Sequence, residues 1–327
     1  MLRFVRLLAR LAGSFWVRLV VSIGLLALVA TQVDFGRGVR RLADGQWGWF
    51  ALATLALVAA SAVASFRWHL YLEACDVDRD WRRALRAYFV GTFTSNFLPS
   101  QVGGDVARAL MVGQHGKRVR AFTTVMLDRA TALACLIAIA WAFAATDPGD
   151  VPHSLLLTLA VVSVLFAALV TVLLGVAGLR DPIRRRLLPE RLKPLVGEVL
   201  TSLRASVQSQ VLIRTLLLGL LFQSLGVLAA WLIGRSIGLS VPVSALVTTL
   251  PLVITLSFLP FSIGGLGVRE GGFIVLLGQA GVSATEATVF SLLNGLAFAL
   301  ASLPGSLALI HGGHSRATEA APAAPHD

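Results

Sequence analysis

Charged residues are scarce in this sequence of 327 residues: Asp, Glu, Lys and Arg together make up 14% of it. Soluble domains carry about 25%. Hydrophobic residues make up 56%, and the mean hydropathy is +0.80. So little charge cannot cover the water-facing surface of a globular protein, and so many apolar side chains exclude a disordered chain or a fibre. The composition therefore predicts an integral membrane protein.

Cysteine is scarcer still, with Cys75 and Cys135 alone. They lie far apart and Cys135 falls in an apolar run, which excludes a disulfide framework and a CxxC metal site. The acidic pattern Asp76, Asp78 and Asp80 lacks the glycine and glutamate of an EF-hand loop, so it favours a helix cap over a metal site. The motifs of zinc peptidases, serine hydrolases, P-loop NTPases and dinucleotide-binding folds are absent as well. We expect no metal, no cofactor and no enzymatic activity.

The charges that remain are mostly positive: 28 Lys and Arg against 17 Asp and Glu give a net charge of +11. They lie mostly in short loops between apolar runs, which favours contact with an anionic bilayer over nucleic-acid binding. The stretch 180–193 carries six basic residues and 145–153 carries no Lys or Arg. By the positive-inside rule this predicts a bacterial inner-membrane protein with both termini cytoplasmic. The stretch 32–47, external by this count, holds three arginines and goes against the rule.

Six apolar runs predict transmembrane helices, which need about 20 residues each. The runs cover 19–33, 48–66, 121–145, 154–179, 211–234 and 286–310. The first follows a basic stretch without a cleavage site and indicates an uncleaved anchor. Three further runs, 84–98, 243–259 and 271–282, are too short or too broken to cross. Residues 1–310 are expected to form one membrane domain, and the Ala/Pro/His-rich residues 311–327 a disordered cytoplasmic tail.

An internal repeat is the strongest signal in the sequence. Residues 97–108 read FLPSQVGGDVAR and residues 258–269 read FLPFSIGGLGVR. Six of the 12 positions are identical at a constant offset of 161, and they include the proline, both adjacent glycines and the arginine. Such self-similarity predicts two copies of one structural unit.

The repeated residues are those that break a helix and begin another. Pro99 and Pro260 would end the incoming helix, because proline lacks an N–H and clashes with the preceding turn. The glycine pairs would permit a sharp turn and close backbone approach. The new helix would present unpaired N–H groups to a phosphate, with Arg108 or Arg269 near its first turn. The glycines concerned are Gly103, Gly104, Gly264 and Gly265.

Three predicted spans separate the two copies, so the second copy would enter the membrane from the opposite side. We therefore predict two inverted-repeat re-entrant helical hairpins, at about 84–120 and 243–282, in addition to about six transmembrane helices in an all-α polytopic fold. Broken helices at corresponding positions of inverted repeats are typical of a transporter site near the membrane midplane. The alternative is that both clusters are ordinary interfacial loops rich in proline and glycine.

At these residues the chain resembles the transmembrane, flippase-like domain of lysylphosphatidylglycerol synthases and its stand-alone relatives, over about residues 66–309. The resemblance is carried by the motifs NFLP at 96–99, GGD at 103–105, DR at 128–129, GGLGVRE at 264–270 and PG at 304–305. It implies translocation of an aminoacylated phospholipid, or of a hopanoid-pathway or polyprenyl lipid, between leaflets. We expect a stand-alone member of this family, without the soluble aminoacyl-transferase domain of the synthases. The chain departs from the family in having Asn294 where relatives often carry a basic residue.

Several polar residues inside the apolar runs are candidate ligands. Arg129 needs a partner, water or a headgroup phosphate, because an intramembrane arginine costs at least about 2.5–3.5 kcal/mol. Asp128 is expected to pair with Lys117 or Arg118. Asp105 is expected to cap its half-helix, with proton coupling as the alternative. Of Arg269 and Glu270, one would bind substrate while the other pairs with Arg108 or Arg129. Asn96 is expected to hydrogen-bond between helices or to contact substrate.

The leading hypothesis is a lipid translocase for a phosphate-bearing lipid, with Arg108, Arg269 and Arg129 as phosphate ligands. Its partners would be the lipid, the anionic bilayer, a separate lipid synthase and a second copy of the chain. One alternative is an enzyme acting on polyprenyl-phosphate or hopanoid lipids, with Asp105 and Glu270 as acid and base. Another is an accessory subunit that recruits a synthase.

Overall fold

The computed structural model describes residues 15–97, 101–113, 116–146, 149, 151–178, 193–257 and 267–309. This part of the chain is almost entirely helical and contains no strand. The helices are α1 (Phe15–Gln32), α2 (Phe35–Ala43), α3 (Trp47–Ala74), α4 (Trp81–Ser95), α5 (Gln101–Val112), α6 (Arg118–Thr146), α7 (His153–Gly178), α8 (Lys193–Ser206), α9 (Ser209–Ser236), α10 (Val243–Ser257), α11 (Val268–Gly278) and α12 (Ala284–Ala301). The fold is that of an all-α polytopic membrane protein.

Five of the six predicted spans are helices long and apolar enough to cross a bilayer. They are Trp47–Ala74, Arg118–Thr146, His153–Leu173, Gln210–Ser236 and Ala284–Leu309. The sixth prediction, at 19–33, falls on α1, an 18-residue helix that contains the apolar stretch Ser22–Gln32. The tail at 311–327 lies outside the described residues.

The acidic pattern before α4 caps that helix, as predicted. The side chain of Asp80 accepts a hydrogen bond from the backbone N–H of Arg82. Asp78 pairs with Arg83 at 3.0 Å. A carboxylate at a helix N-terminus satisfies N–H groups that have no partner within the helix.

The three broken apolar runs form helices α4, α10 and α11. Helix α4 packs against α5, and α10 packs against α11. The connections between the members of each pair contain 98–100 and 258–266, which lie outside the described residues. The predicted helix-breaking residues Pro99 and Pro260 fall there, and so do Gly264 and Gly265. Each repeat copy therefore lies where one helix ends and the next begins.

The centre of the molecule is built from α3, α6 and α9. Helix α3 packs along α9, and α6 contacts both. The hydroxyl of Tyr71 on α3 lies 2.6 Å from that of Thr131 on α6 and 3.1 Å from that of Thr215 on α9. Gln223 donates to the backbone carbonyl of Ala132 at 2.6 Å. Interhelical hydrogen bonds of this kind fix helices relative to each other where no hydrophobic effect drives their association.

Contacts among helix ends and connecting segments define two opposite faces of the bundle. On one face, Arg41 of α2 pairs with Glu286 of α12 and donates to the carbonyl of Ile237, which follows α9. We call this the α2 face. On the other, the basic face, Lys117 before α6 pairs with Asp76 after α3 at 3.3 Å. The outer ends of the α4–α5 pair adjoin the basic face, and those of the α10–α11 pair adjoin the α2 face.

Candidate functional site

Three arginines and two aspartates from helices α3, α5 and α6 form a continuous network of ion pairs. We call it the arginine–aspartate cluster, and its members are Arg67, Asp105, Arg108, Asp128 and Arg129. The repeat arginine Arg108 is at its centre. It pairs with Asp105 one turn earlier on α5 and with Asp128 on α6.

Asp128 joins three helices. Its Oδ1 accepts from Arg67 Nε at 2.8 Å, and its Oδ2 accepts from Arg108 Nη1 at 3.2 Å. Both arginines and the aspartate are buried, with side chains 1–4% exposed. Charges removed from water are tolerated only when they are paired with this kind of geometry. The predicted partners of Asp128, Lys117 and Arg118, are therefore wrong, because the carboxylate points into the bundle.

Asp105 joins the other two arginines. Its Oδ1 lies 3.1 Å from Arg108 Nη2 and 3.0 Å from Arg129 Nη2, and its Oδ2 accepts from Arg129 Nε at 3.1 Å. Asp105 is the fifth residue of α5 and binds side chains of two helices. The expectation that it caps its half-helix is thus wrong.

The cluster consists of three arginines and two aspartates, and Arg129 is its most exposed member. The side chain of Arg129 is 37% exposed, whereas the side chain of its partner Asp105 is 5% exposed. Arg129 is the twelfth residue of the 29-residue helix α6. At a rise of about 1.5 Å per residue it lies about 16 Å from the helix start, which is close to the middle of a bilayer.

Aromatic rings surround the buried guanidinium groups. Arg108 lies 4.8 Å from the ring centroid of Trp68 and 4.9 Å from that of Tyr88, and Arg67 lies 5.0 Å from that of Phe222. Within the described residues, Arg67 Nη1 has no hydrogen-bond partner. Cation–π contacts of this kind help to stabilise an arginine that is removed from water.

The two repeat copies differ in where their glycines and arginines lie. In the first, α5 begins at Gln101, so Gly103 and Gly104 are inside the helix and Arg108 is in its second turn. Arg108 is thus the eighth residue of α5, further from the helix start than the position near the first turn that was predicted. In the second, Gly267 with φ of +82° precedes α11, and Arg269 is in the first turn as predicted. The first-copy glycine Gly104 brings two helices together: a Cβ there would lie 2.1 Å from the carbonyl oxygen of Gly91 on α4.

A smaller cluster surrounds the arginine of the second copy. Arg269 Nη2 donates to Glu270 Oε1 at 2.7 Å, and Ser291 of α12 donates to the same oxygen at 3.2 Å. Glu270 Oε2 accepts from the backbone N–H of Gly267 at 2.7 Å. The predicted pairing across the repeats, between Glu270 and Arg108 or Arg129, is wrong because Glu270 is held by its own helix start and by α12.

Two further motif residues position the first hairpin. Asn96 donates to the hydroxyl of Ser302 at 2.9 Å, which confirms its role as an interhelical hydrogen-bonding residue. Gly305 lies against α4 so closely that a Cβ there would be 2.2 Å from the carbonyl oxygen of Phe89. These contacts fix the end of α12 against α4.

Arg67 is the functional candidate that sequence reasoning missed. The apolar run ends at 66, so Arg67 reads as a charge just outside the membrane, but α3 continues to Ala74. The available signal was the sequence that follows. Trp68 and Tyr71 lie one turn apart, and no proline or glycine interrupts the helix before Ala74. Because α3 is 28 residues long, Arg67 lies within it and not beyond its end.

Comparison with known sequences identifies the family of this fold. The sequence model of the family described as Lysylphosphatidylglycerol synthase TM region matches residues 15–305. The chain belongs to this family. The match covers the repeat copies, the arginine–aspartate cluster and α12, and it identifies a multi-pass membrane protein with a role in lipid handling. No curated protein and no solved structure matched significantly.

Proposed function

We propose that this member of the lysylphosphatidylglycerol synthase TM region family moves a phosphate-bearing lipid between the leaflets of a bacterial inner membrane. The observation that carries the proposal is the partly exposed side chain of Arg129 at the end of a buried network of arginines and aspartates. The lipid class we favour is an aminoacylated phospholipid, with polyprenyl and hopanoid-pathway lipids as the other members of the series to be tested.

The position of Arg129 at the exposed end of the cluster suits a phosphate near the membrane middle. A headgroup phosphate that crosses the bilayer loses its water, so it needs charge-assisted hydrogen bonds on the way. Arg129 has the planar donor geometry for such bonds, and its neighbours hold it in place. Asp105 accepts two hydrogen bonds from Arg129, and a phosphate would replace it as the acceptor. Asp105 would keep Arg108 as its partner, so no carboxylate would be left unpaired.

The arrangement of the two helix pairs supports access from both leaflets. The α4–α5 pair begins and ends beside the basic face, and the α10–α11 pair beside the α2 face. We infer that each is a re-entrant hairpin from its own side, with the acyl chains left in the bilayer. Arg108 and Arg129 would bind the headgroup that enters from the basic face. Arg269, with Glu270, would bind it on the side of the α2 face. The basic face would be cytoplasmic, as the loop charges predict.

The enzymatic alternative is less well supported by the contacts. It requires Asp105 and Glu270 to act as acid and base, but Asp105 accepts from two arginines and Glu270 from Arg269, Ser291 and a backbone N–H. Carboxylates occupied in this way are poorly placed to exchange a proton with a substrate.

Leaflet exchange in proteoliposomes tests the proposal. Fluorescent lysyl-phosphatidylglycerol, phosphatidylglycerol, a polyprenyl phosphate and phosphatidylcholine would each be quenched from outside, with wild type and Arg129→Gln. Loss of a charged hydrogen bond worth about 1.5–3 kcal/mol should slow exchange roughly 10- to 100-fold for the phosphate lipids that are transported.

The control variant is Arg214→Gln, which removes an exposed arginine from α9 and should leave exchange unchanged. Equal rates for wild-type and empty liposomes with every lipid would contradict the proposal. A normal rate in Arg129→Gln would contradict the role of this residue.

A further inference from the structure

A cavity of about 490 Å³ opens at the basic face, apart from both clusters. It is bordered by the segment between α3 and α4, the first turn of α4, the last residue of α5 and the residue before α6. Its polar lining residues are Asp76, Asp78, Arg79, Arg83 and Lys117. Because α3 and α6 are candidate spans and the cavity adjoins their ends, it lies at the level where lipid headgroups meet water.

The lining of the cavity has three cations and two carboxylates. Asp78 is engaged by Arg83 at 3.0 Å, and Asp76 by Lys117 at 3.3 Å and by Arg79 at 3.9 Å. The carboxylates thus hold the basic side chains around the cavity and leave one positive charge uncompensated. A single negative charge of a phosphate diester complements this balance.

Helix α5 contributes residues both to the cavity and to the arginine–aspartate cluster. Val112, which lines it, is four residues after Arg108 on α5. Four residues of α-helix rise about 6 Å, so the base of the cavity and the cluster are one turn apart.

A buried apolar layer separates the two. It includes Val112 at the cavity and Trp68 beside Arg108, and Val77 and Tyr88 pack against it. Its other members are Leu72, Ala84, Ala87, Ala109, Ala121 and Val125. Four of these six are alanines, so the helices approach closely and a headgroup can pass only if α5 moves away from α3 and α6.

We propose that this cavity is a docking site for the phosphate of an anionic phospholipid, and that the apolar layer beneath it closes the path to Arg108 and Arg129. Arg79, Arg83 and Lys117 would bind the phosphate while the acyl chains remain in the adjacent leaflet. The assignment of a phosphate-binding site is supported by the cavity and its charges. Its role as the entry point for a transported lipid rests on the proposed function.

Lysine acetylation offers a direct readout, because Lys117 and Lys193 are the only lysines in the sequence. The full chain in nanodiscs would be treated with a water-soluble acetylating reagent, and both sites quantified by peptide mass spectrometry. The nanodiscs would contain phosphatidylcholine alone, phosphatidylcholine with phosphatidylglycerol, or phosphatidylcholine with inorganic phosphate in solution. Lys193 serves as the internal reference for changes in surface potential.

Phosphatidylglycerol should protect Lys117. At about ten times the Kd, roughly nine-tenths of the sites are occupied, so the Lys117 rate should fall about tenfold relative to Lys193. Arg79→Gln removes an exposed cation of the cavity and should abolish most of the protection. Arg82→Gln removes the arginine next to Arg83 in the sequence, which does not line the cavity, and should retain the protection.

A Lys117 rate, relative to Lys193, that is the same with and without phosphatidylglycerol would overturn the proposal. Protection by inorganic phosphate but not by phosphatidylglycerol would show a soluble ligand and also overturn it. The two proposals fail separately. Lipid exchange without protection of Lys117 contradicts the docking site alone, and protection without exchange contradicts translocation and leaves the binding site intact.

Discussion

The backbone of Gly104 lies directly against that of Gly91, so the second glycine of the first repeat copy packs α5 on α4. A Cβ at Gly104 would lie 2.1 Å from the Gly91 carbonyl oxygen and 1.9 Å from Ser95 Oγ. A methyl group there forces α4 and α5 apart. This separates Asp105 and Arg108 on α5 from the aromatic neighbour Tyr88 on α4.

Gly104→Ala should therefore lower the melting temperature and the rate of lipid exchange together. Overpacking of this kind costs about 1–3 kcal/mol. The matched control is Gly271→Ala, since Gly271 is a helical glycine with no heavy atom within 4 Å of an added Cβ. That change should be neutral or slightly stabilising, because alanine favours helix over glycine. Equal melting temperatures for the two variants would disprove the close packing.

Removal of Asp128 should destabilise the protein more than any other single change in the cluster. Asp128→Asn leaves Arg67 and Arg108 buried with one carboxylate fewer, which costs about 3–5 kcal/mol. The double variant Arg67→Met/Asp128→Leu removes both members of the first pair and leaves Arg108 with Asp105. It should recover most of the lost melting temperature, measured in detergent. A double variant less stable than Asp128→Asn would show that the network is not governed by pairing.

Gly295→Ala should impair lipid exchange without unfolding the protein. A Cβ at Gly295 would lie 2.6 Å from Arg269 Nη2, so the guanidinium must move. The side chain of Arg269 is flexible and 27% exposed, so its displacement is tolerated in the fold but moves it from Glu270. Gly226→Ala on α9, where the nearest atom would be 3.8 Å away, is the control. Normal exchange in Gly295→Ala would argue against a role for the position of Arg269.

Cys75 should react slowly with maleimides although it lies beyond the end of α3. Burial raises the pKa of its thiol, which contacts Ser206 and the carbonyl of Ser202 on α8 at 3.6 Å. Thiolate is the reactive form, so the rate should stay low through neutral pH and rise only above the usual thiol pKa of about 8.5. Ser206→Trp should displace α8 and speed the reaction. Fast labelling of the wild type at pH 7 would show that α8 does not cover this site.

The parts of this fold that follow from local sequence were predictable. Apolar runs gave five spans, and Asp80 was correctly expected to begin α4. What sequence could not supply was pairing between helices. Asp105 and Asp128 are 23 positions apart, and each binds two arginines whose directions depend on how α3, α5 and α6 pack.

The repeat predicted where helices break but not which residue begins each new helix. One copy places its arginine in the first turn and the other places it a turn later. One of the three arginines at 32–47 also has a structural explanation: Arg41 is engaged by Glu286 and two backbone carbonyls, so it binds other parts of the protein. A count of loop charges cannot distinguish an arginine that binds other parts of the protein from one that binds lipid headgroups.

The chain order of the arginine–aspartate cluster bears on how the protein is made. Arg67 is synthesised first, then Asp105 and Arg108, and Asp128 with Arg129 last. A charge at the centre of a lone helix costs about 2.5–3.5 kcal/mol on insertion, and less towards its ends. Arg67 lies seven residues before the end of α3, so it enters the membrane without its carboxylate at a lower cost, supported by the apolar remainder of the helix. When α6 leaves the translocon, both arginines that Asp128 binds have already been made. Helix α6, with its adjacent charges Asp128 and Arg129, can therefore pair with α3 and α5 as soon as it leaves the translocon. A chain truncated before α6 lacks these partners and should be degraded in the cell.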